Sequence, residues 1–120
     1  MSFRRKIQNI RPSWNAILLL WQEEFSFRVL VVCAAVTVAA SYVLEISRME
    51  FLIVILTIGG ILAIEALNTG IEEICDHVTP EQHATIAKIK DIGSGAVFIM
   101  YCAAAIIGLV IFIPYFIALL

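Results

Sequence analysis

Acidic and amide side chains recur at helical spacing in the segment EALNTGIEEICD, residues 65–76. On a helix, a rotation of about 100° per residue brings positions separated by three, one, three and four residues onto one face. If a helix continues through this segment, one arc carries Glu65, Asn68, Thr69, Glu72 and Asp76. Carboxylate oxygens are preferred ligands of Mg²⁺, which commonly takes one or two protein carboxylates plus substrate phosphates. The face therefore predicts chemistry with a metal ion and phosphate groups.

A second segment with phosphate-binding character covers residues 88–95, in which Lys88 and Lys90 precede the stretch GSG at 93–95. Free N–H groups at a helix start attract anions, and lysine adds positive charge. The same small residues also let membrane helices approach closely, so both interpretations are compatible with the pattern. The chain has no Walker A motif and no kinase GxGxxG motif, which excludes the soluble phosphate-binding folds that carry them.

Composition assigns these residues to a membrane protein. Of 120 residues, 62% are hydrophobic and 15% are charged, and the mean hydropathy is +0.98. Ordinary soluble domains are about 45–50% apolar. Because a spanning helix needs about 20 residues, the chain has room for three or four helices in about one domain. A soluble α/β enzyme is excluded, and the absence of a dense basic face argues against a nucleic-acid partner.

The elements that must position the polar segments are all helices. We predict an all-α membrane protein with an N-terminal interfacial amphipathic helix over about 13–27, where two tryptophans lie on an apolar stripe. Three transmembrane helices follow at about 29–45, 50–76 and 92–119, and residues 1–120 form a single domain. The second helix extends past its apolar part because no helix breaker precedes Pro80.

The basic residues predict the orientation of these helices. Five basic residues precede the first span: Arg4, Arg5, Lys6, Arg11 and Arg28. Arg48 alone lies between the first and second spans, and Lys88 and Lys90 lie between the second and third. Cytoplasmic segments carry the excess of lysine and arginine. We therefore expect a multi-pass protein of the cell membrane with a cytoplasmic N-terminus, an extracytoplasmic C-terminus, and its polar groups at the cytoplasmic surface.

Simpler interpretations exist for several of these residues. A solvated helix end suits Glu73, Asp76 and Glu81, but Glu65 and Asn68 directly follow the apolar run 51–64. A charged side chain at the bilayer centre costs about 2.5–3.5 kcal/mol on insertion scales, so an acid at such a position is a functional hypothesis.

Cysteine and histidine chemistry is a weaker hypothesis. Cys33 and Cys102 lie in apolar runs, where thiols usually behave as small hydrophobes. The spacing of Cys75, His77 and His83 matches no zinc pattern.

The motifs together closely resemble the small prokaryotic diacylglycerol kinase family, which includes the undecaprenol kinases. The resemblance rests on EALNTGIEEICD at 65–76, on His83, on KDIGSGAV at 90–97 and on EFSFR at 24–28. It covers essentially the whole chain in length, span count and motif order. It implies a homotrimer with sites shared between subunits, ATP as co-substrate with Mg²⁺, and phosphorylation of a membrane lipid alcohol in a bacterial inner membrane.

The resemblance also implies a role for individual residues. Glu65 would be the general base for the lipid hydroxyl, with Asn68 as its polar partner, and Glu24 and Glu72 would hold Mg²⁺ on ATP. The nucleotide contacts would be Arg5, Glu24, Glu72, Asp76, Glu81, Gln82, His83, Lys90 and Asp91. The lipid would lie near Glu65, Ser94, Trp21 and Arg28. Pro12 departs from the family, because diacylglycerol-specific members tend to carry tyrosine there.

The acceptor lipid stays open between two alcohols. GSGAV resembles the diacylglycerol branch and makes diacylglycerol, giving phosphatidic acid, the first choice. The lysine-rich HATIAKIKD at 83–91 resembles the undecaprenol branch, whose product would be undecaprenyl phosphate. An ion or proton transporter that uses Glu65, Asn68 and Glu72 as a relay is the alternative of another class. It predicts acids at several depths, whereas the third span has none.

Overall fold

A computed structural model of the chain describes residues 2–78 and 83–120. Five helices follow one another in this part of the chain, and it contains no strand: α1 (Phe3–Gln8), α2 (Ile10–Glu23), α3 (Phe25–Val43), α4 (Arg48–Val78) and α5 (Ala84–Leu119). Three of them, α3, α4 and α5, are long and apolar enough to cross a membrane. The expectation of an all-α membrane protein is confirmed.

The N-terminal helices differ in their bounds from the predicted surface helix at 13–27. Helix α2 begins at Ile10, and Pro12 is its third residue, where the missing N–H is one that the helix does not use. The backbone of Glu24 is extended, with φ −108° and ψ 107°, and this ends α2 at Glu23. Phe25 and Phe27 therefore belong to α3, which has Glu24 as its N-cap.

A tight connection joins α3 to α4. Glu45 adopts a left-handed backbone conformation with φ 53°. Ser47 and Glu50 then form a capping box, because the Ser47 N–H donates to Glu50 Oε1 at 3.0 Å and the Glu50 N–H donates to Ser47 Oγ at 3.2 Å. Glu50 also accepts a hydrogen bond from the Tyr115 hydroxyl, which ties the start of α4 to the end of α5.

Helix α4 carries the polar segment without interruption. Its 31 residues span about 46 Å at about 1.5 Å per residue, which exceeds the ~30 Å hydrocarbon core of a bilayer. The expected helix through Glu65 to Asp76 is confirmed. Helix α4 packs against both α3 and α5, and α2 packs against α3.

Few side chains are buried within these helices. The buried apolar residues are Phe27, Val54, Cys75, Val97 and Ile111. Large apolar side chains on the outer faces of the long helices are exposed, among them Leu56, Phe98 and Val110. Such faces suit contact with lipid or with another apolar surface.

A candidate active site around Glu65

Glu65 is the one acidic side chain of the described residues that is buried, with 9% of its surface exposed. Its two carboxylate oxygens have different partners on different helices. The Ser26 hydroxyl at the start of α3 donates to Oε1 at 3.1 Å, and the Tyr101 hydroxyl in α5 donates to Oε2 at 3.1 Å. The three long helices therefore meet at this carboxylate.

Asn68 and Glu72 lie on the following turns of the same face of α4. Asn68 Nδ2 donates to Glu72 Oε1 at 3.2 Å, which leaves Glu72 Oε2 available to a ligand. Asn68 Oδ1 is buried and has no hydrogen-bond partner. The Thr69 hydroxyl donates to the Glu65 carbonyl at 3.0 Å and is therefore used within the helix.

Helix α5 approaches this face at Gly93, which is buried. A Cβ atom built on Gly93 would lie 2.4 Å from Asn68 Oδ1, a distance that real Cβ contacts do not show. Only glycine therefore allows this approach of α5 without displacing the Asn68 side chain.

Asp76 and Lys90, both predicted to be nucleotide contacts, form an ion pair between the end of α4 and the start of α5. The side chains are 67% and 39% exposed, respectively. An ion pair exposed to this degree contributes little to stability, because water screens the attraction between the two charges. Both groups therefore stay available to a polyanionic ligand and its counterions.

The start of α3 brings Glu24 to the same region, since Ser26 in its first turn contacts Glu65. Glu24 is half-buried, and its carboxylate makes no capping hydrogen bond.

Two further predicted site residues have local partners. The guanidinium of Arg28 lies over the Phe25 ring, 5.7 Å from its centroid. His83 is the N-cap of α5, where its Nδ1 accepts a hydrogen bond from the Thr85 N–H at 3.2 Å.

Within residues 2–78 and 83–120, no hydrogen bond or ion pair joins the other predicted site residues to this group. Arg5 in α1, Trp21 in α2, and Asp91 and Ser94 in α5 have exposed side chains. Glu81 and Gln82 lie outside the described residues.

The donor set fits a hard cation held together with phosphate groups. Glu72 offers a carboxylate oxygen on the face of α4 that also carries the unpaired Asn68 Oδ1, and Glu24 offers its carboxylate at the start of α3. Within the described residues, no three or more histidine, cysteine and acidic side chains form a group that could hold a metal by itself. A pair of carboxylates is enough for Mg²⁺ when substrate phosphates supply the remaining ligands.

Sequence reasoning missed two residues of this group, Ser26 and Tyr101. Ser26 lies inside the EFSFR segment, in which only the charged residues Glu24 and Arg28 were predicted to belong to the site. Tyr101 follows the buried Gly93 and Val97 at steps of four residues, so a helical period places it on nearly the same face of α5. The sequence therefore contained a signal that Tyr101 faces the packed side of α5.

Comparison with known proteins agrees with the motif order. Residues 11–112 match the family described as prokaryotic diacylglycerol kinase. The chain is 36% identical over 93 residues to the undecaprenol kinase of Bacillus subtilis (strain 168), covering 78% of this chain and 74% of that protein. It is 29% identical over 104 residues to the diacylglycerol kinase of Escherichia coli (strain K12), covering 87% of this chain and 85% of that protein. It is 33% identical over 87 residues to the diacylglycerol kinase of Pseudomonas aeruginosa, covering 72% of this chain and 71% of that protein.

Proposed function

The chain belongs to the prokaryotic diacylglycerol kinase family of membrane lipid kinases, with ATP as co-substrate, and we propose that Glu65 is the centre of its phosphoryl transfer. In this proposal the γ-phosphate of MgATP passes to the hydroxyl group of a membrane lipid. The observation that carries the proposal is the buried Glu65 carboxylate, one turn before the Asn68–Glu72 hydrogen bond. Family membership removes the ion or proton transporter from consideration.

Glu65 is proposed as the general base, with Asn68 as its polar partner. A base must lie within hydrogen-bond reach of the hydroxyl that it deprotonates. Glu65 directly follows the apolar run 51–64 of α4, so it lies at the boundary where the apolar part of this helix ends. The hydroxyl of a lipid lies at this boundary, whereas Glu72 lies beyond it.

Glu24 and Glu72 are the proposed ligands of Mg²⁺, which when bound neutralises phosphate charge. The chain itself adds the Lys90 ammonium group, whose pairing with Asp76 holds it at the junction of α4 and α5. Phosphoryl transfer depends mainly on positioning and on charge neutralisation, and these groups supply both. The remaining proposed nucleotide contacts are Arg5, Asp76, Glu81, Gln82, His83 and Asp91.

Ser94, Trp21 and Arg28 are the proposed lipid contacts besides Glu65. Diacylglycerol is the first choice of acceptor, supported by the GSGAV segment and by relatives named diacylglycerol kinase. Undecaprenol is the second, supported by the 36% identity to an undecaprenol kinase.

An acceptor assay with the purified protein tests the activity and the choice of lipid together. Diacylglycerol and undecaprenol are presented separately in the same mixed micelles with MgATP, and ADP release and labelled lipid are measured. We expect ADP release that depends on added lipid alcohol, with the larger kcat/KM for diacylglycerol. A larger kcat/KM for undecaprenol would overturn the first choice, and ADP release independent of either lipid would overturn the proposed reaction.

The assembly is proposed to be a homotrimer with sites shared between subunits, in a bacterial inner membrane. Two features support this: the apolar outer faces of the long helices and the incomplete enclosure of the group around Glu65, where Asp76 and Lys90 are exposed. Light scattering of the protein in detergent should give the mass of three chains. A monomeric mass in a preparation that retains lipid kinase activity would contradict the trimer.

A further inference from the structure

The Glu65 carboxylate is held by two hydroxyl groups from outside its own helix. Ser26 Oγ and Tyr101 OH each donate to one oxygen at 3.1 Å, from residues 39 and 36 positions away in the chain. We propose that Ser26 and Tyr101 are positioning residues for phosphoryl transfer, which hold the Glu65 carboxylate in one orientation toward the lipid hydroxyl. This inference rests on the proposed function, in which Glu65 is the base.

The two hydrogen bonds leave the carboxylate able to accept a proton. An ionised carboxylate offers about four lone-pair sites, of which Ser26 and Tyr101 use one on each oxygen. The remaining sites are free for the substrate hydroxyl. The arrangement therefore restricts the rotation of the carboxylate and leaves lone pairs for the substrate hydroxyl.

Neutral hydroxyl donors are better suited than a cation to orienting a carboxylate that must accept a proton. Within residues 2–78 and 83–120 the one ion pair is that of Lys90 with Asp76, so no lysine or arginine pairs with Glu65. A buried carboxylate without hydrogen bonds is costly, and hydroxyl donors compensate part of that cost. Unlike a lysine or arginine, they add no positive charge that would compete for the carboxylate during proton transfer.

The hydroxyl of Ser26 is free for this role because of the break at Glu24. Elsewhere in these helices, hydroxyl groups such as those of Thr37 and Thr57 donate to the carbonyl four residues earlier. Ser26 is the second residue of α3, so its own helix offers no such carbonyl. Its hydroxyl instead donates across to α4.

Two side chains on separate helices also limit the entropy that Glu65 must lose in the reactive complex. A free glutamate samples many rotamers, and fixing a reacting group beforehand is a recognised source of rate enhancement. Removal of either hydroxyl should therefore lower kcat and leave nucleotide binding unchanged.

A double-mutant cycle tests the inference. Ser26→Ala and Tyr101→Phe are made in the parent protein and in Glu65→Gln, and kcat, the KM for MgATP and thermal stability are measured for each. In the parent, we expect each hydroxyl deletion to lower kcat about tenfold, the scale of a hydrogen bond to a charged group, with KM for MgATP within about twofold. In the Glu65→Gln protein, the same deletions should change the residual rate by less than about twofold, because the carboxylate on which they act is gone.

Two further variants separate positioning from general stability. Ser26→Thr keeps a hydroxyl at the same position and should recover most of the kcat that Ser26→Ala loses. Tyr115→Phe is the matched control, since it removes a tyrosine hydroxyl from the same helix whose partner is Glu50 at the far end. It should leave kcat at the parent value.

The possible failures are distinguishable. If Glu65→Gln loses turnover while Ser26→Ala and Tyr101→Phe keep the parent kcat, the positioning role is overturned and the base assignment stands. If both deletions lower the rate equally in the parent and in Glu65→Gln, they act on stability, and the positioning role is again overturned. If Glu65→Gln itself keeps the parent kcat, the proposed function of Glu65 fails.

Discussion

At the scale of single residues, Glu65 differs from the other acids of α4 in its surroundings. It is buried and receives two hydroxyl donors, whereas Glu73 and Asp76 are exposed. Glu72 lies between these extremes, half-buried and bonded to Asn68 through one oxygen. These surroundings agree with the two proposed roles on this helix face, Glu65 in proton transfer and Glu72 in metal binding.

The substitution Glu65→Gln tests the base assignment. Glutamine keeps the size, and the Ser26 and Tyr101 hydroxyls can still bond to its amide, but it cannot take the proton. Loss of a general base typically costs 10²–10⁴-fold, so we expect kcat to fall at least ~100-fold with MgATP affinity unchanged. The measurement is kcat, MgATP affinity and oligomer mass on one preparation. Loss of ATP binding or assembly together with turnover would instead make Glu65 a structural or metal-linked acid.

The substitution Glu72→Gln tests the metal assignment. It removes one charge from a proposed ligand pair, so most activity should be lost and the Mg²⁺ concentration needed for half-maximal activity should rise. Glu24→Gln should behave in the same way. The matched control is Glu73→Gln, which changes a neighbouring exposed carboxylate. Near-normal turnover at ordinary Mg²⁺ in either ligand variant would refute its assignment.

At the scale of elements, the approach of α5 to α4 depends on Gly93. Any side chain there would meet Asn68 Oδ1, whereas a Cβ on the nearby Gly95 would meet nothing within 4 Å. Substitution of Gly93 therefore tests the close packing of α5 on α4, and substitution of Gly95 shows the effect of replacing a helical glycine where no such packing exists.

We expect Gly93→Ala to displace Asn68, to break its hydrogen bond to Glu72, and to lower both kcat and thermal stability. Overpacking of this kind typically costs about 1–3 kcal/mol. Gly95→Ala should keep activity and gain up to about 1 kcal/mol, the difference in helix propensity between the two residue types. Thermal unfolding and lipid kinase assays of the two variants in the same detergent provide the comparison. Equal behaviour of the variants would show that the close approach has no role.

At the scale of the whole molecule, three long helices and the distribution of basic residues predict the topology. An odd number of spans places the two termini on opposite sides, and the basic N-terminal segment favours the cytoplasm. In this predicted orientation, the hydrogen bond between Glu50 and Tyr115 would lie at the extracytoplasmic end of α4 and α5, away from Glu65.

A reporter fused after Leu120 tests this topology. We expect a periplasmically active enzyme such as alkaline phosphatase to be active there, and a reporter that needs the cytoplasm to be silent. The same pair of reporters fused before the N-terminus provides the converse control. Activity of the C-terminal fusion in the cytoplasm alone would refute the orientation.

The sequence by itself determined the features that depend on composition and on spacing along one helix. Its apolar fraction identified a membrane protein, and the intervals between Glu65, Asn68 and Glu72 placed them on one face, because helical geometry is local. Only the tertiary structure decided which groups from other helices meet that face. Ser26 and Tyr101 reach Glu65 across 39 and 36 residues, and Gly93 meets Asn68 through the crossing of α4 and α5. Such contacts follow from how helices pack against one another; residue spacing within a helix shows which face a side chain lies on but not which side chain of another helix it meets.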